Sequence, residues 1–526
     1  MAAARGIALT MVAGDVDARA IGNRRRDLLV LATTILASAT VFIDTAVMTI
    51  ALPVLQEEFD AELAGLQWIA ESYLLTLTAL MLTGGALGDR FGRRRVFLIG
   101  VILFAATSLW CGLSGDVGQL LAARAGQGIA GALLVPGSLA ILTHYFPLSE
   151  RGRAIGIWSA FTSISVAFAP LLGGWMIDVL SWRWIFFINV PLGLIIVALT
   201  FAGVPESRDS SMNGRIDWLG ALLATTGLGA LVFALIEWGR LGPTHWLVIT
   251  CLIAGVVLIA AFIRHEAREP VPMLPLGLFA NRTFSGTNLA TLMLYAGLSI
   301  ILFFMPIHLM HVREYTALEA GAAMLPFIIM LSLISHLAGR LADRYGARLL
   351  VTFGPILAGL GFVMLGMPGL EGSYWSTYLP GMIVTGLGVA LTVPPLTMAV
   401  MSAAPASRAG IASAINNAIS RLAFLLAVAV MGAIALLRFE IGLGPELTDL
   451  LGEEVLKLGA AGIPAHLPNQ ADIQAAIDFA ALETFRLMTA SACGLALVAG
   501  LIAWLTIDPH DHLKRDPEQP VEVLPG

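Results

Sequence analysis

Charged residues are scarce in this chain. Only 13% of its 526 residues are Asp, Glu, Lys or Arg, whereas 58% are hydrophobic. Soluble domains usually carry about 25% charged and 45–50% apolar residues. One water-soluble core could not bury such an excess, so an ordinary soluble protein is excluded. The period-two alternation that a membrane β-barrel requires is also absent from the sequence.

Residue patterns of metal sites and nucleotide sites are missing too. Cys111, Cys251 and Cys493 all lie in apolar runs without metal-ligand spacing, so we interpret them as packing residues. The sequence contains no G-x-x-x-x-G-K-[ST] string, which argues against ATP-driven work by this chain. A folded soluble catalytic domain is not visible either. We therefore expect no enzyme activity, no metal, no cofactor and no nucleic-acid partner.

What the chain does contain is a long series of apolar runs. Runs of roughly 18–25 residues are long enough to cross about 30 Å of hydrocarbon as helices. Because lipid cannot satisfy backbone polar groups, we predict an all-α integral membrane protein. Its fourteen predicted spans are 28–52, 66–87, 96–114, 119–142, 154–178, 184–203, 217–237, 245–263, 284–310, 318–338, 349–367, 376–400, 410–437 and 484–507.

The basic residues predict how these spans are oriented. Arg24, Arg25 and Arg26 directly precede the first span, and 22 of the 30 Lys and Arg residues fall in the two tails and the alternate loops on the same side of the membrane. The positive-inside rule then places both termini in the cytosol and the chain in the cytoplasmic, or inner, membrane. The first apolar run is too long for a signal-peptide core, so we predict that it is not cleaved.

One short string occurs twice. "GGALGDRFGRRR" at 84–95 returns as "GRLADRYGAR" at 339–348, with Asp89 matching Asp343 and Arg94 matching Arg348. A shared L-x-D-R-aromatic-G-x-R string in equivalent loops predicts a duplicated half. The predicted divisions are a cytosolic tail at 1–27, a six-helix bundle at 28–203, a linker with two further spans at 204–283, a second six-helix bundle at 284–507 with an outside loop at 438–483, and a cytosolic tail at 508–526.

Two acidic residues stand within predicted spans. An ionised carboxylate there costs roughly 2.5–3.5 kcal/mol on insertion scales, so such a group usually faces a polar cavity. We predict that Asp44 and Glu71 couple protons or bind substrate. For Asp44 the alternative is a structural pair with Arg124 or a hydrogen bond between helices. For Glu71 the alternative is exposure near the outer surface.

Five ordered motifs carry a family resemblance. The first loop matches G-x-L-x-D-R-x-G-R-R, and the other four are "IDTAVMTIALP" at 43–53, "LLAARAGQGIAGA" at 120–132, "WRWIFFINVPLG" at 182–193 and "GIASAINNAISR" at 410–421. Over nearly its whole length the chain resembles the major facilitator superfamily, and within it the fourteen-span drug/proton antiporters of the EmrB/QacA type. The resemblance implies a major facilitator fold with two six-helix bundles plus two inserted central helices.

The resemblance also implies roles for the two arginine-rich loops. They would form a cytoplasmic gate that latches in one orientation of the halves, with Asp89, Arg90 and Arg94 as the main participants. The gate residues are Gly85, Asp89, Arg90, Gly92, Arg93 and Arg94 in the first loop and Asp343 and Arg344 in the second. The alternative is that these basic residues only hold the loops inside. Arg124, at the family's span-four arginine position, would form a charge relay with an acid of span one, or else a static ion pair.

Spans five and thirteen depart from the family pattern. The antiporter motif G-x-x-x-G-P-x-x-G-G is matched at Pro170, Gly173 and Gly174, but Ser165 and Ala169 replace its first two glycines. This departure weakens the inference of proton antiport. In span thirteen the candidate cavity residues are Asn416, Asn417 and Arg421, for which packing is the alternative role.

The sequence as a whole predicts a secondary active transporter that works by alternating access. The expected activity is proton-coupled efflux of small lipophilic or cationic compounds, as in multidrug resistance. Export of one metabolite, proton-coupled uptake and a non-transporting membrane receptor are the alternatives. The expected partners are a small-molecule substrate, protons and the lipid bilayer, and a periplasmic adaptor is left open.

Overall fold

A computed structural model describes most of the chain. The described backbone covers residues 2–208, 217–269, 272, 274–404, 409–452 and 470–508. Within it, the description omits the side chains of residues 2–24, 82, 148–149, 151–153, 159–160, 163, 167, 343 and 409–410. The side chain of Asp343, the middle of the predicted loop 438–483 and nearly all of the predicted tail 508–526 therefore lie outside the described residues.

The described residues are folded into helices without strands. The helices are α1 Ala2–Phe59, α2 Leu63–Phe91, α3 Arg93–Leu113, α4 Val117–Tyr145, α5 Leu148–Val179, α6 Trp184–Phe187, α7 Asn189–Gly203, α8 Trp218–Leu241, α9 Trp246–Glu266, α10 Arg282–His311, α11 Ala317–Ala323, α12 Leu325–Tyr345, α13 Ala347–Gly366, α14 Tyr374–Thr377, α15 Leu379–Ser402, α16 Ala409–Leu443, α17 Pro445–Leu451 and α18 Gln470–Thr506, with a 3-10 helix at Leu276–Ala280. The predicted all-α membrane fold is confirmed.

Twelve helices of the described chain are long and apolar enough to cross a membrane. A thirteenth counts if α2, whose parts Leu63–Met81 and Thr83–Phe91 meet at 50°, is one span. Close to this bend, a Cβ on Gly84 would lie 2.0 Å from the carbonyl oxygen of Ala132 in α4. The backbones of α2 and α4 can approach this closely only at a residue without a side chain.

The two arginine-rich loops have the same local structure. Gly92 links α2 to α3 with a φ of 110°, and Gly346 links α12 to α13 with a φ of 84°. These two glycines occupy matching positions in the repeated string, and their left-handed backbone favours glycine. The arginine two residues later stacks on an aromatic ring in each case, Arg94 on Phe201 at 5.1 Å and Arg348 on Trp504 at 4.2 Å. Each loop is thus anchored to α7 or α18, the last long helix of its predicted half.

Helix α8 lies across the seam between α2 and α16. Gly229 of α8 faces Leu75 of α2, and Gly239 of α8 faces Ala433 of α16. Helix α9 packs on α8, where a Cβ on Gly255 would lie 2.6 Å from the Cγ of Leu231. The segment predicted to insert two spans therefore forms a hairpin with one arm against both predicted halves.

The polar segment 438–483 is more helical than we predicted from its sequence. Helix α16 continues to Leu443, and α18 begins at Gln470, well before the predicted span at 484. Ile473, Ile477 and Ala480 recur at helical spacing and are buried, which explains the early start of α18. The two helices are joined here by Arg438, whose Nη2 lies 3.0 Å from Oε2 of Glu483.

Candidate functional site: a buried polar network

Asp44 and Arg124 meet in the interior of the protein. Nη1 of Arg124 in α4 lies 2.6 Å from Oδ2 of Asp44 in α1, and the two side chains are 1% and 2% exposed. A buried pair of this kind is held by both charge and hydrogen bonding. Among the roles predicted for Asp44, this geometry matches the structural pair with Arg124.

Three further polar side chains complete the network, and sequence reasoning missed all of them. Gln127 donates from Nε2 to Oδ1 of Asp44 at 2.8 Å and to Oγ of Ser108 at 2.7 Å. Asn189 of α7 donates from Nδ2 to the same two oxygens at 3.3 and 3.2 Å. The sequence did offer a signal for two of them, because Gln127 lies inside the motif at 120–132 and Asn189 inside the motif at 182–193. The network therefore joins α1, α3, α4 and α7.

The guanidinium of Arg124 has several further partners. It donates from Nη1 to Oε1 of Gln127 at 2.7 Å and from Nε to the carbonyl of Ile69 at 3.3 Å. The ring of Tyr73 stacks on it with its centroid 4.3 Å away. These contacts hold the arginine rigidly, so the ion pair is built into the packing of the helices.

Glu71 stands apart from this network. Its side chain is fully buried, and neither carboxyl oxygen has a hydrogen-bond partner among the described residues. The alternative that Glu71 is exposed near the outer surface is therefore wrong. One turn away, Gln67 donates from Nε2 to the carbonyl of Val428 in α16 at 2.7 Å. Glu71 thus belongs to the helix that contacts the other predicted half.

The candidate residues of α16 are placed differently from one another. Asn416 is buried and donates from Nδ2 to Oγ1 of Thr291 at 2.7 Å and to Oδ1 of Asn288 at 3.1 Å, so it packs α16 onto α10. Asn417 is exposed. Arg421 reaches across to α1, where its Cζ lies 5.9 Å from the centroid of the Phe42 ring.

The gate residues make contacts close to their own loop. Nη2 of Arg93 lies 2.8 Å from Oδ1 of Asp89, one turn away. Arg90 stacks on Phe91 next to it, and Arg344 stacks on Tyr345. The backbone N–H of Arg94 donates to Oε1 of Glu206 at 3.2 Å, which ties the loop to the segment after α7. A Cβ on Gly85 would lie 3.7 Å from Pro136 in α4.

The antiporter-motif residues lie where α5 meets α1 and α11. A Cβ on Gly173 would lie 2.4 Å from Val47 of α1, and one on Gly174 would lie 2.5 Å from the carbonyl oxygen of Ala317. From the other side, a Cβ on Gly321 of α11 would lie 2.4 Å from the carbonyl oxygen of Pro170. Small residues here bring the two predicted halves together at the end opposite the arginine-rich loops.

These features agree with what the chain is similar to. It is 37% identical over 414 residues to the multidrug resistance protein Stp of Mycobacterium tuberculosis, covering 78% of this chain and 76% of that protein. It is 33% identical over 436 residues to the drug efflux pump JefA of the same organism, covering 82% and 84%. The fold resembles a bacterial homologue of the human lysosomal transporter Spinster in an inward-facing, unoccupied conformation, with a TM-score of 0.65, 17% identity, and coverage of 93% of this chain and 98% of that one. Residues 34–428 match the Major Facilitator Superfamily, and the chain belongs to that family.

Proposed function

We propose that this chain exports small lipophilic or cationic compounds in exchange for protons, by alternating access. Two of its relatives are named as a multidrug resistance protein and a drug efflux pump. The substrate would be a small molecule held between the two predicted halves, near the middle of the membrane. The protein acts as a transporter of solutes and protons rather than as an enzyme.

The observation that carries the proton coupling is the isolated carboxyl group of Glu71. A carboxyl buried without any hydrogen-bond partner is far costlier as an anion than as an acid. Glu71 therefore holds a proton in this conformation. A change in the packing of α2 against α16 that admits water or a cationic substrate allows the proton to leave, which couples the two fluxes.

Asp44 has different surroundings in the same conformation. Three side chains, those of Arg124, Gln127 and Asn189, donate to its carboxylate oxygens, and the first of them forms an ion pair with it. Asp44 and Arg124 take part in coupling only if movement of α1 against α4 separates them. Of the two acids, Glu71 carries the proton at this stage of the cycle and Asp44 acts later.

The arrangement of the halves indicates which end is closed. Gly174 meets Ala317, and Oδ2 of Asp178 accepts from the backbone N–H of Leu318 at 2.8 Å, both at the end opposite the arginine-rich loops. We infer that this end faces outwards and that the structure is closed there. Asp89, Arg90, Arg94 and Asp343 form the cytoplasmic latch when the halves rock the other way.

The topology belongs to the same proposal. We propose fourteen spans, as in the EmrB/QacA-type branch: the twelve long apolar helices, the bent α2, and α5, whose apolar part includes Ile164–Val179. The segments 28–203 and 284–507 form two six-helix bundles, and the α8–α9 hairpin is inserted between them. Both termini lie in the cytosol of a cell whose inner membrane holds the protein.

Transport by purified protein in liposomes with an imposed pH gradient tests this function. We expect gradient-driven movement of lipophilic cations that stops when the gradient is collapsed. Gradient-driven movement of a single metabolite, or movement in the same direction as the protons, would favour the narrow exporter or the uptake system. Saturable binding without any movement would instead identify a receptor.

A further inference from the structure

The α8–α9 hairpin borders a half-open cavity where it crosses between α2 and α16. The cavity has a volume of about 180 Å³ and is lined by all four of these helices and by the 3-10 helix before α10. Its wall includes Ala224 of α8, Phe262 of α9, Phe279 and Ile415. The lining is mainly apolar, and the residues around Asp44 do not contribute to it.

One polar group in this wall has no partner. Thr78 of α2 lines the cavity and is 9% exposed, and its hydroxyl oxygen makes no hydrogen bond to any described residue. A helical threonine usually donates to the carbonyl one turn earlier. The hydroxyl oxygen is buried, so Thr78 leaves an unsatisfied polar group behind the wall of the cavity rather than on its surface.

Two buried carboxyl groups lie behind one end of the cavity. A Cβ on Gly220, which lines the cavity, would lie 2.2 Å from Oδ2 of Asp217 and 3.0 Å from Oε1 of Glu266. Neither oxygen has a hydrogen-bond partner among the described residues. Glu266 is only 2% exposed, and its other oxygen accepts from the N–H of Leu274, a second lining residue, at 2.9 Å. Only Gly220 and Leu274 separate these acids from the cavity.

The surrounding charges leave this end negative. Asp217 also pairs through Oδ1 with Nε2 of His265 at 2.8 Å, and Glu269 lies 3.9 Å from the same nitrogen. Arg264 is exposed on the same helix and makes no ion pair with a described residue. Water screens such an exposed charge, whereas a buried carboxylate acts through a low dielectric. Even if the two acids share one proton and His265 is protonated, this pair and Glu269 together keep one negative charge in excess.

We propose that this cavity binds a lipophilic monovalent cation, at a site distinct from the one between the two predicted halves. The apolar part of the ligand contacts Ala224 and Ile415, and the aromatic side chains of Phe262 and Phe279 line the same cavity. The positive group lies at the Gly220 end, attracted by Asp217 and Glu266. Because Thr78 and Ile415 come from opposite sides of the seam, the occupant contacts both predicted halves.

Binding of benzyltrimethylammonium to the purified full-length protein in nanodiscs tests the proposal, with empty nanodiscs as the blank. Ala224→Phe fills the cavity, and Leu222→Phe adds the same ring two residues away on the exposed face of α8. We expect Ala224→Phe to weaken binding at least about tenfold and Leu222→Phe to leave it unchanged. Unchanged binding in Ala224→Phe, with a normal melting temperature, would overturn the proposal.

The charge is tested with neopentylbenzene, which has the same shape as benzyltrimethylammonium but no charge. Glu266→Gln and Asp217→Asn keep the hydrogen-bond acceptors for Leu274 and Gly220 while removing the negative charge. Either variant should weaken binding of the cation about tenfold and leave neopentylbenzene within about twofold. Equal binding of both probes, unaffected by either variant, would show an apolar site without recognition of charge and contradict the proposal.

This inference and the proposed function can fail separately. Binding in the cavity is measured without a gradient, and Glu71→Gln lies outside the cavity wall. Cation binding that survives Glu71→Gln while transport is lost supports both proposals. Loss of the site in Ala224→Phe with proton coupling intact identifies the cavity as a second site.

Discussion

Arg124 and Asp44 form an ion pair 2.6 Å long, enclosed by four helices and shielded from solvent. The pair joins α1 to α4, and amide side chains from α4 and α7 donate to the other oxygen of the carboxylate. Its first consequence concerns stability, because a buried charge that loses its partner is left without compensation.

Replacing either member of this pair should destabilise the protein. We expect Asp44→Asn or Arg124→Gln to lower the free energy of unfolding by about 3 kcal/mol, measured by denaturation in mixed micelles. The double variant leaves no unpaired charge, so its loss should be clearly smaller than the sum of the two single losses. Additive losses would show that the pair is not coupled as the geometry indicates.

Gly174 should control closure of the end opposite the arginine-rich loops. In Gly174→Ala the new methyl group would lie 2.5 Å from the carbonyl oxygen of Ala317. Overpacking costs typically about 1–3 kcal/mol, and here it destabilises the closed arrangement of this end. A cysteine introduced at Leu318 is then exposed more often, so it should react about fivefold to a hundredfold faster with an impermeant maleimide. Gly156→Ala in the same helix meets nothing within 4 Å and serves as the control. Equal reactivity in the two variants would contradict the proposed seam.

Asp89 should matter for transport and hardly at all for the stability of this conformation. Its ion pair with Arg93 is partly exposed and spans one helical turn, so it contributes only about 0.5 kcal/mol. If Asp89 joins a latch when the halves rock, Asp89→Asn should slow transport about tenfold and leave the melting temperature unchanged. Normal transport by this variant would contradict a latch and would indicate that the loop's charges only set the orientation of the spans.

Trp68 should hold helix α8 in place. Its Nε1 donates to Oε1 of Glu237 at 3.2 Å, and the other carboxylate oxygen pairs with Arg240 at 2.7 Å. Trp68→Phe removes one hydrogen bond worth about 1 kcal/mol, so amide exchange in α8 should become about fivefold faster. Trp238→Phe, at a partly exposed position of α8, should leave exchange unchanged. Equal exchange in both variants would show that α8 is held by apolar packing alone.

The sequence predicted the helices well because each apolar run is long and lipid permits few alternatives. The repeated arginine-rich string predicted a duplicated half, and its two copies place a glycine of positive φ at the matching position, Gly92 and Gly346. The prediction was weakest at 438–483, where short apolar positions at helical spacing extend α18 into a segment that is polar on average. The mean polarity of a segment does not show that its few apolar residues recur at helical spacing.

The candidate site was predictable only in part. Hydropathy singles out Asp44, Glu71 and Arg124 because a charge within a span is rare. Gln127 and Asn189 carry no charge, so only the three-dimensional packing shows that they bind Asp44. The burial of Glu71 without a partner depends on the rotation of α2 about its axis, which no local pattern of residues determines.

The most direct test of the account is proton movement by the Glu71→Gln variant in liposomes with an imposed pH gradient. Glutamine has the shape of the protonated acid but cannot release a proton. We predict that adding a lipophilic cation changes the luminal pH with the wild-type protein and leaves it unchanged with Glu71→Gln, although the variant is folded and still binds the cation. Wild-type proton movement in Glu71→Gln would contradict the assignment of Glu71 as the proton carrier.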